Sequence, residues 1–466
     1  MAVMRAAALA PSTAALLAGV TLLLLLPSAA TAAYSSLWGR NGELWDPAGP
    51  LPDFSYAGYK QGNEPLPNPP VTRSVLKFKR PGMSDTQMFQ AALAWAHKRS
   101  LTNKFIVLSI PAGRFTLTQR LFIRRSRLVL RGAGAGKTTL YIPKSLIDIY
   151  GPNPESGTGG YVNTDGFITI EGTSRIGDEA ARVIKFAAKG DVWVRVDRPS
   201  ALKVGEYYDM WFTDVAGKFN NLMFNNKWVA PAQYKGNTRV KFTTKILAVR
   251  GDRVKIERHL PYEIRSKMNI VKFHKRPNTV FESGVEGITF SFKWSWYAGH
   301  HVEDGWNAIY ISEAYNCWVR NIATINADST VLINGKCPAT CQQGLQTVHQ
   351  TVQPAGSACF CTQHRAAQGC AARAQPAPVA AAVAGASALT VSGIRISASK
   401  TRANNIPNKW NERADADGHW GVQHTHSFDV LVTNFVITCS LLHDVGTGSS
   451  GKFGVYMNGR MAGEGP

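Results

Sequence analysis

Two short stretches of the chain concentrate side chains that can move protons or hold a ligand. The first is His300-His301-Val302-Glu303-Asp304-Gly305-Trp306-Asn307. The second is Asp415-Ala416-Asp417-Gly418-His419-Trp420, followed by His424 and His426. Carboxylates and imidazoles at neighbouring positions suit general acid–base chemistry, because burial or a neighbouring charge brings their proton affinities near neutral pH. Indoles add flat stacking faces, and a guanidinium can neutralise a carboxylate. The two stretches are related, since Asn307 to Thr324 aligns with Trp420 to Ile437 at an offset of 113. That offset sets Asp304 opposite Asp417 and Trp306 opposite His419. The candidate proton carriers are therefore Asp304, Asp417 and His419, and the candidate ligand-contacting residues are Trp306, Arg320 and Trp420.

Structural roles compete with these chemical ones. His424 aligns with Ile311, which alternation assigns to the interior together with Ile309, so a buried, hydrogen-bonded histidine is the alternative there. Glu303 and Asp304 could equally cap a turn. Histidines two apart suit a metal only on a surface-facing strand, so no metal is expected.

The elements that must carry these residues are visible as an internal repeat. Four hexapeptides share one pattern: Val285-Glu286-Gly287-Ile288-Thr289-Phe290, Val319-Arg320-Asn321-Ile322-Ala323-Thr324, Val391-Ser392-Gly393-Ile394-Arg395-Ile396 and Val432-Thr433-Asn434-Phe435-Val436-Ile437. Gly and Asn tolerate left-handed backbone, so each hexapeptide reads as two short strands joined by a one-residue bend. Such bends, repeated, turn the corner of a parallel β-helix. One coil cannot bury its own apolar side, so coils must stack. The four corners Gly287, Asn321, Gly393 and Asn434 are expected at one edge.

The remaining chain divides as follows. Residues 1–32 read as a secretory signal, with Arg5, the run Leu22 to Leu26 and the Ala30-Thr31-Ala32 cleavage site. Residues 33–75 are an irregular Pro- and Gly-rich lead-in. Residues 76–189 hold the N-terminal coils and a helix, announced by the Ser84/Gln87 capping box and by Phe89, Leu93 and Ala96 at helical spacing. Residues 190–275 read as an antiparallel β insertion, with a hairpin turn at Gly251-Asp252. Its Arg250-Gly251-Asp252 tripeptide is explained by that turn. Residues 276–466 are the C-terminal coils, interrupted by a low-complexity insert at 337–390. The insert has 15 Ala and 8 Gln, with Arg365 and Arg373 as its only charges. It is expected to loop outside the stack, and its Cys337, Cys341, Cys359 and Cys361 are not expected to hold zinc. Cys317 and Cys439 read as small core residues. The last strand-like run, Val455-Tyr456-Met457, leaves little chain for a closing cap, so the C-terminus is expected to be truncated.

Composition narrows the function classes. Hydrophobic residues make up 44% and charged residues 18%, a globular profile that excludes a disordered protein. The 42 glycines argue against a helical bundle. The net charge is +21, and loss of Arg5 with the signal leaves +20. The basic residues are mostly scattered, which argues against a nucleic-acid stripe, and outside a cell such a charge suits an acidic polysaccharide. Gly132 to Thr138 imitates a phosphate-binding loop, but Arg131 stands where that pattern needs glycine.

The helix Asp85 to Ala96, then Ile110-Pro111-Ala112-Gly113-Arg114-Phe115, then Leu128-Val129-Leu130-Arg131-Gly132-Ala133-Gly134 with Thr138-Thr139-Leu140, carry a family resemblance. The chain resembles the pectin-lyase-fold superfamily, specifically its pectate-lyase-3 or rhamnogalacturonase-like branch. The resemblance implies an all-β, right-handed parallel β-helix with an N-terminal capping helix, into which the antiparallel insertion is set. The resemblance implies the fold rather than one reaction, since the superfamily holds lyases, hydrolases, epimerases and non-enzymatic members. Asn163-Thr164-Asp165 imitates a polygalacturonase motif, but the Asp-Asp, Gly-His-Gly and Arg-Ile-Lys motifs that should follow are missing, so those carboxylates are not carried over.

The expectation is a secreted, extracellular or cell-wall protein that cleaves an acidic polysaccharide. A lyase is favoured over a glycoside hydrolase, and a non-catalytic polysaccharide-binding or matrix protein is the alternative. No cofactor is required, with Ca2+ the cation a lyase would recruit. The mature chain is expected to be a monomer without membrane or nucleic-acid partners.

Overall fold

The computed structural model describes residues 38–39, 42–154, 158–162, 164–172, 177–223, 238–276, 279–334, 386–403, 416–425, 427–447, 452–457 and 459–461. The signal at 1–32, the cysteines from Cys337 to Cys370, Asn163, Asp415 and His426 lie outside these residues. The chain divides into a short unit, 1–46, and a large one, 47–466. In the short unit the Leu44 N–H donates to the Trp38 carbonyl at 3.2 Å.

The large unit is built from two parallel stacks that the chain visits in turn. The strands Gly284–Phe292, Trp318–Ile325, Ser387–Ser397 and Phe428–Ile437 pair in parallel in the first. The strands Asn307–Ser312, Ser329–Asn334, Gly418–Thr425 and Leu441–Thr447 pair in parallel in the second. Each circuit therefore adds one rung to each stack, which is the topology of a parallel β-helix.

The register explains why these sequences stack. Val285, Val319, Val391 and Val432 are aligned across neighbouring rungs, and so are Ile288, Ile322, Ile394 and Phe435. All eight lie in one core. Burying each such side chain is worth roughly 1.5–3 kcal/mol. Between the two columns stand Gly287, Asn321, Gly393 and Asn434, with φ of 70°, 53°, 68° and 56°. The predicted corner is thus one continuous column. It continues into the phosphate-loop look-alike, where the Gly134 N–H donates to the Gly287 carbonyl at 3.0 Å. The Thr138 hydroxyl accepts from Ala133 N–H at 2.8 Å within the same turn, so those residues are spent on the coil.

The helix Asp85–His97 begins with the expected reciprocal Ser84/Gln87 cap. Its Met88, Phe89, Leu93 and Ala96 join the coil core. The antiparallel sheet has its own core around Tyr208, Phe212, Phe242 and Phe273. Its hairpin pairs Val249 with Val254 and Arg250 with Arg253 across Gly251-Asp252. The strand Glu179–Arg182 also belongs to this sheet, so the sheet starts earlier than residue 190. The expected insert boundary also shifts. Ser387 to Thr390, assigned to the insert, belong to a coil strand in which Thr390 pairs with Trp318. Insert residues 337–385 lie outside the described residues. Cys317 and Cys439 are buried free thiols, as read from the sequence.

Candidate active site

The site forms where the chain passes from the first stack to the second, along the loop 293–306. Gly305 ends that loop at φ 85°. A Cβ there would come within 2.9 Å of Leu146 and Tyr161 side-chain atoms, so only glycine fits the turn. Trp306, Asp328 and His419 then line up across three rungs. The Asp328 N–H donates to the Trp306 carbonyl at 2.9 Å, and the His419 N–H to the Asp328 carbonyl at 2.7 Å. In the same register Asn307 faces Ser329, and Ser329 faces Trp420. The sequence offset of 113 is therefore physical, with one coil in between.

A buried ion knot holds this corner. The Asp328 carboxylate accepts the Gly305 and Trp306 N–H groups at 3.0 Å each and pairs with Arg402 Nη2 at 2.7 Å. Arg402 also donates to the Ser295, Ala327 and Asp417 carbonyls at 2.9–3.0 Å. Asp417 accepts from Arg402 N–H at 2.6 Å, Thr401 Oγ1 at 3.0 Å and Ser440 N–H at 3.1 Å. Its carboxylate is thus spent on holding backbone, which corrects its assignment as a proton carrier.

Above the knot lie the groups with shifted proton affinity. Glu303 is fully buried and accepts from Tyr297 OH at 3.0 Å and His301 N–H at 3.2 Å. Burial first, with the Asp328 charge adding to it, pushes the Glu303 carboxyl up to about 7. Asp304 is half-buried, and its carboxylate takes no hydrogen bond among the described residues. Burial, then the charges of Asp328 and Asp148, push it up to about 6. His419 is 2% exposed, and burial above all holds its imidazole well below the ordinary histidine range. Its Nδ1 lies 2.9 Å from Glu303 Oε1, but neither ring nitrogen has an aligned hydrogen-bond partner.

The other expected residues are placed differently. Trp306 is 3% exposed, packs edge-on against Phe292 at 5.9 Å and belongs to the core, so it is no stacking platform. Arg320 lies on the first stack, pairing with Glu286 at 2.7 Å and donating to the Pro67 carbonyl at 3.2 Å. Glu286 also pairs with Arg131, so Arg320 is one rung of an ion ladder facing the lead-in. Trp420 is buried with Tyr310 and Leu332, its ring 4.4 Å from that of His443. Of the six candidates, Asp304 keeps both solvent access and a carboxyl not committed to backbone. His424 is fully buried and bonded to Ser427 Oγ at 3.1 Å, the structural alternative read from its alignment with Ile311.

The sequence reading passed over Asp328, Arg402 and His443, none of which sits in a motif or a periodic run. It also passed over Trp296, which is 54% exposed on the same loop as Asp304. The Trp296 ring stands 4.9 Å from Trp294, and Lys400 Nζ lies 3.7 Å over the Trp294 ring. The sequence Lys293-Trp294-Ser295-Trp296 shows two indoles beside a cation, but only the fold leaves Trp296 exposed and Trp294 half-buried. A separate cleft lined by Lys60, Gln61, Tyr207, Lys245, Glu257 and Tyr315 shares no residue with this corner.

No family model and no curated protein matches the chain. Among solved structures it is similar to the tailspike gp54 of Acinetobacter baumannii bacteriophage AP22, with 8% identity and a TM-score of 0.33 over 85% of this chain and 59% of that one. It is similar to the tailspike gp49 of Pseudomonas phage LKA1, with 10% identity and a TM-score of 0.35 over 80% and 52%. A polygalacturonase from Erwinia carotovora ssp. carotovora gives 9% identity and a TM-score of 0.36 over 86% and 65%. The chain spans about half to three fifths of the tailspikes' length.

Proposed function

We propose that this protein is an exported enzyme that cleaves an acidic polysaccharide by β-elimination, with Asp304 as the base. The carrying observation is the half-buried Asp304 carboxyl, pushed up to about 6 and left uncommitted on a loop that also displays Trp296. A carboxylate of that basicity is ionised at neutral pH and is a better proton acceptor than an ordinary one. It takes the proton on the carbon next to the uronate carboxylate. The electron pair forms a carbon–carbon double bond, and the bond to the leaving sugar oxygen breaks, that oxygen taking a proton from solvent.

Elimination fits better than hydrolysis. Hydrolysis needs two carboxyl groups flanking the bond, and Asp328 and Asp417 are tied to backbone while Glu303 is fully buried. Trp296 supplies a sugar-stacking face and Lys400 a cation for the uronate. The basic balance of the chain favours an anionic polymer over a neutral one.

The test is turnover of polygalacturonate, alginate and glycosaminoglycans, followed by the ultraviolet absorbance of an unsaturated uronate. Asp304→Asn is expected to lower kcat by about 10²–10⁴-fold with binding retained. Trp296→Ala is expected to raise KM instead. Saturated product would replace elimination by hydrolysis. Binding without turnover by the wild type would make the chain a polysaccharide-binding protein.

A further inference from the structure

Three histidines from three separated segments converge at the same corner. His300 comes from the 293–306 loop, His419 from the strand Gly418–Thr425 and His443 from the strand Leu441–Thr447. One ring nitrogen of each lies within 4.8 Å of the others. The His300 and His419 rings are 4.7 Å apart and those of His419 and His443 are 5.3 Å apart. No backbone rule brings them together, since His300 and His443 are separated by several strands in sequence.

We propose that His300, His419 and His443 bind one zinc-class divalent cation, with Glu303 as the carboxylate that orients His419. The second, independent observation is the state of His419. It is 2% exposed, yet both its ring nitrogens lack an aligned hydrogen-bond partner, and so does Glu303 Oε2. A buried polar atom left this way costs about 1–3 kcal/mol, which folds normally avoid. A cation on Nε2 and a hydrogen bond from Nδ1–H to Glu303 satisfy both nitrogens together. The Nδ1 to Glu303 Oε1 separation is already 2.9 Å, so a small ring rotation aligns the bond. This is the carboxylate–histidine–metal arrangement that fixes the imidazole tautomer and raises its basicity.

The ligand set selects the ion. Three imidazoles suit Zn2+ and other borderline first-row cations, whereas Ca2+ and Mg2+ prefer oxygen. A tetrahedral ion with metal–nitrogen bonds of about 2.0–2.1 Å needs nitrogens roughly 3.4 Å apart. Side-chain adjustments of up to about 1.4 Å, shared between His300 on its loop and the half-buried His443, bring separations of at most 4.8 Å to that value. Three protein ligands leave a fourth position open. The site does not depend on the proposed elimination, and its test reads binding without activity.

The experiment is calorimetric titration of the full-length, metal-stripped protein with Zn2+, and separately with Ca2+, alongside Co2+ absorption spectra. One Zn2+ per chain is expected, with Ca2+ failing to compete and with no thiolate charge-transfer band in the Co2+ form. His443→Gln, at a half-buried position, is expected to fold and to lose at least tenfold in affinity. Glu303→Gln is expected to lose about 10–100-fold. Absence of Zn2+ binding by the wild type, full binding by His443→Gln, or a thiolate band pointing to the cysteines would each overturn the site.

Discussion

His424 offers a quantitative test of how the coil interior treats a charge. It occupies the register of Ile311 and Ile333 in the second stack and is fully buried. Its Nδ1 is bonded to Ser427, and its ring faces Tyr456 at 5.9 Å. Burial pushes the imidazole down to about 4. An unfolded histidine protonates near 6.5. The native state therefore holds His424 neutral while the unfolded state takes up a proton as pH falls below about 6.5. Stability is fully present above that pH and is lost progressively until about pH 4. Taking these two values, the loss between pH 7.5 and pH 4.5 is about 2.5 kcal/mol for this one group.

His424→Leu keeps an apolar side chain of similar size in an isoleucine column and removes the titration. Guanidinium unfolding of both proteins at the two pH values gives the comparison. Contributions of His97 and His274, which burial also holds below the ordinary range, cancel in the difference when the sites are independent. The wild type is expected to lose about 2.5 kcal/mol more than the variant. A difference under about 1 kcal/mol would show that His424 is not held neutral by the core, and the burial reasoning would be wrong.

Four further outcomes are expected. The kcat of the wild type on a cleavable polymer should fall below about pH 6, as Asp304 takes up its proton, and a flat profile from pH 5 to 8 would remove Asp304 from the chemistry. Arg402→Met should cost about 3–5 kcal/mol in equilibrium unfolding, because Asp328 is left buried and unpaired, while Arg402→Met with Asp328→Asn should recover part of it. Gly287→Ala should cost about 1–2 kcal/mol, since φ is 70° and a Cβ would sit 2.8 Å from the Gly132 carbonyl oxygen, whereas Asn321→Gly should change stability little. Trp306→Ala should lower stability by about 3–5 kcal/mol, a cavity effect that a ligand-stacking tryptophan would not show.

Much of the architecture was legible because a coil repeats local chemistry. The Val-x-Gly/Asn-Ile pattern encodes a bend that needs positive φ and two inward side chains. Both are properties of adjacent residues, so the corners Gly287, Asn321, Gly393 and Asn434 are legible in the sequence alone. The capping box at Ser84 and the Gly251-Asp252 hairpin are local in the same sense. The offset of 113 also survived, because stacking converts sequence spacing into register and so set Trp306, Asp328 and His419 in one ladder.

The site was less legible, because whether a side chain is spent or available is a tertiary matter. Asp304 and Asp417 look alike in sequence. Only the approach of Arg402, Thr401 and Ser440 commits Asp417 to backbone, and only the placement of the 293–306 loop leaves Asp304 half open. Trp306 carries no mark of burial in its neighbours, yet it fills the core against Phe292. Arg320 belongs to the repeat, and its position in the repeat sends it to the ion ladder with Glu286 on the other stack. His300, His419 and His443 come from a loop and two strands that share no pattern. Their convergence exists only after the coils have stacked, because parallel rungs bring residues far apart in sequence to one corner. Local residue chemistry thus determined the coil, and the packing of distant segments decided which of its polar groups remain available for chemistry.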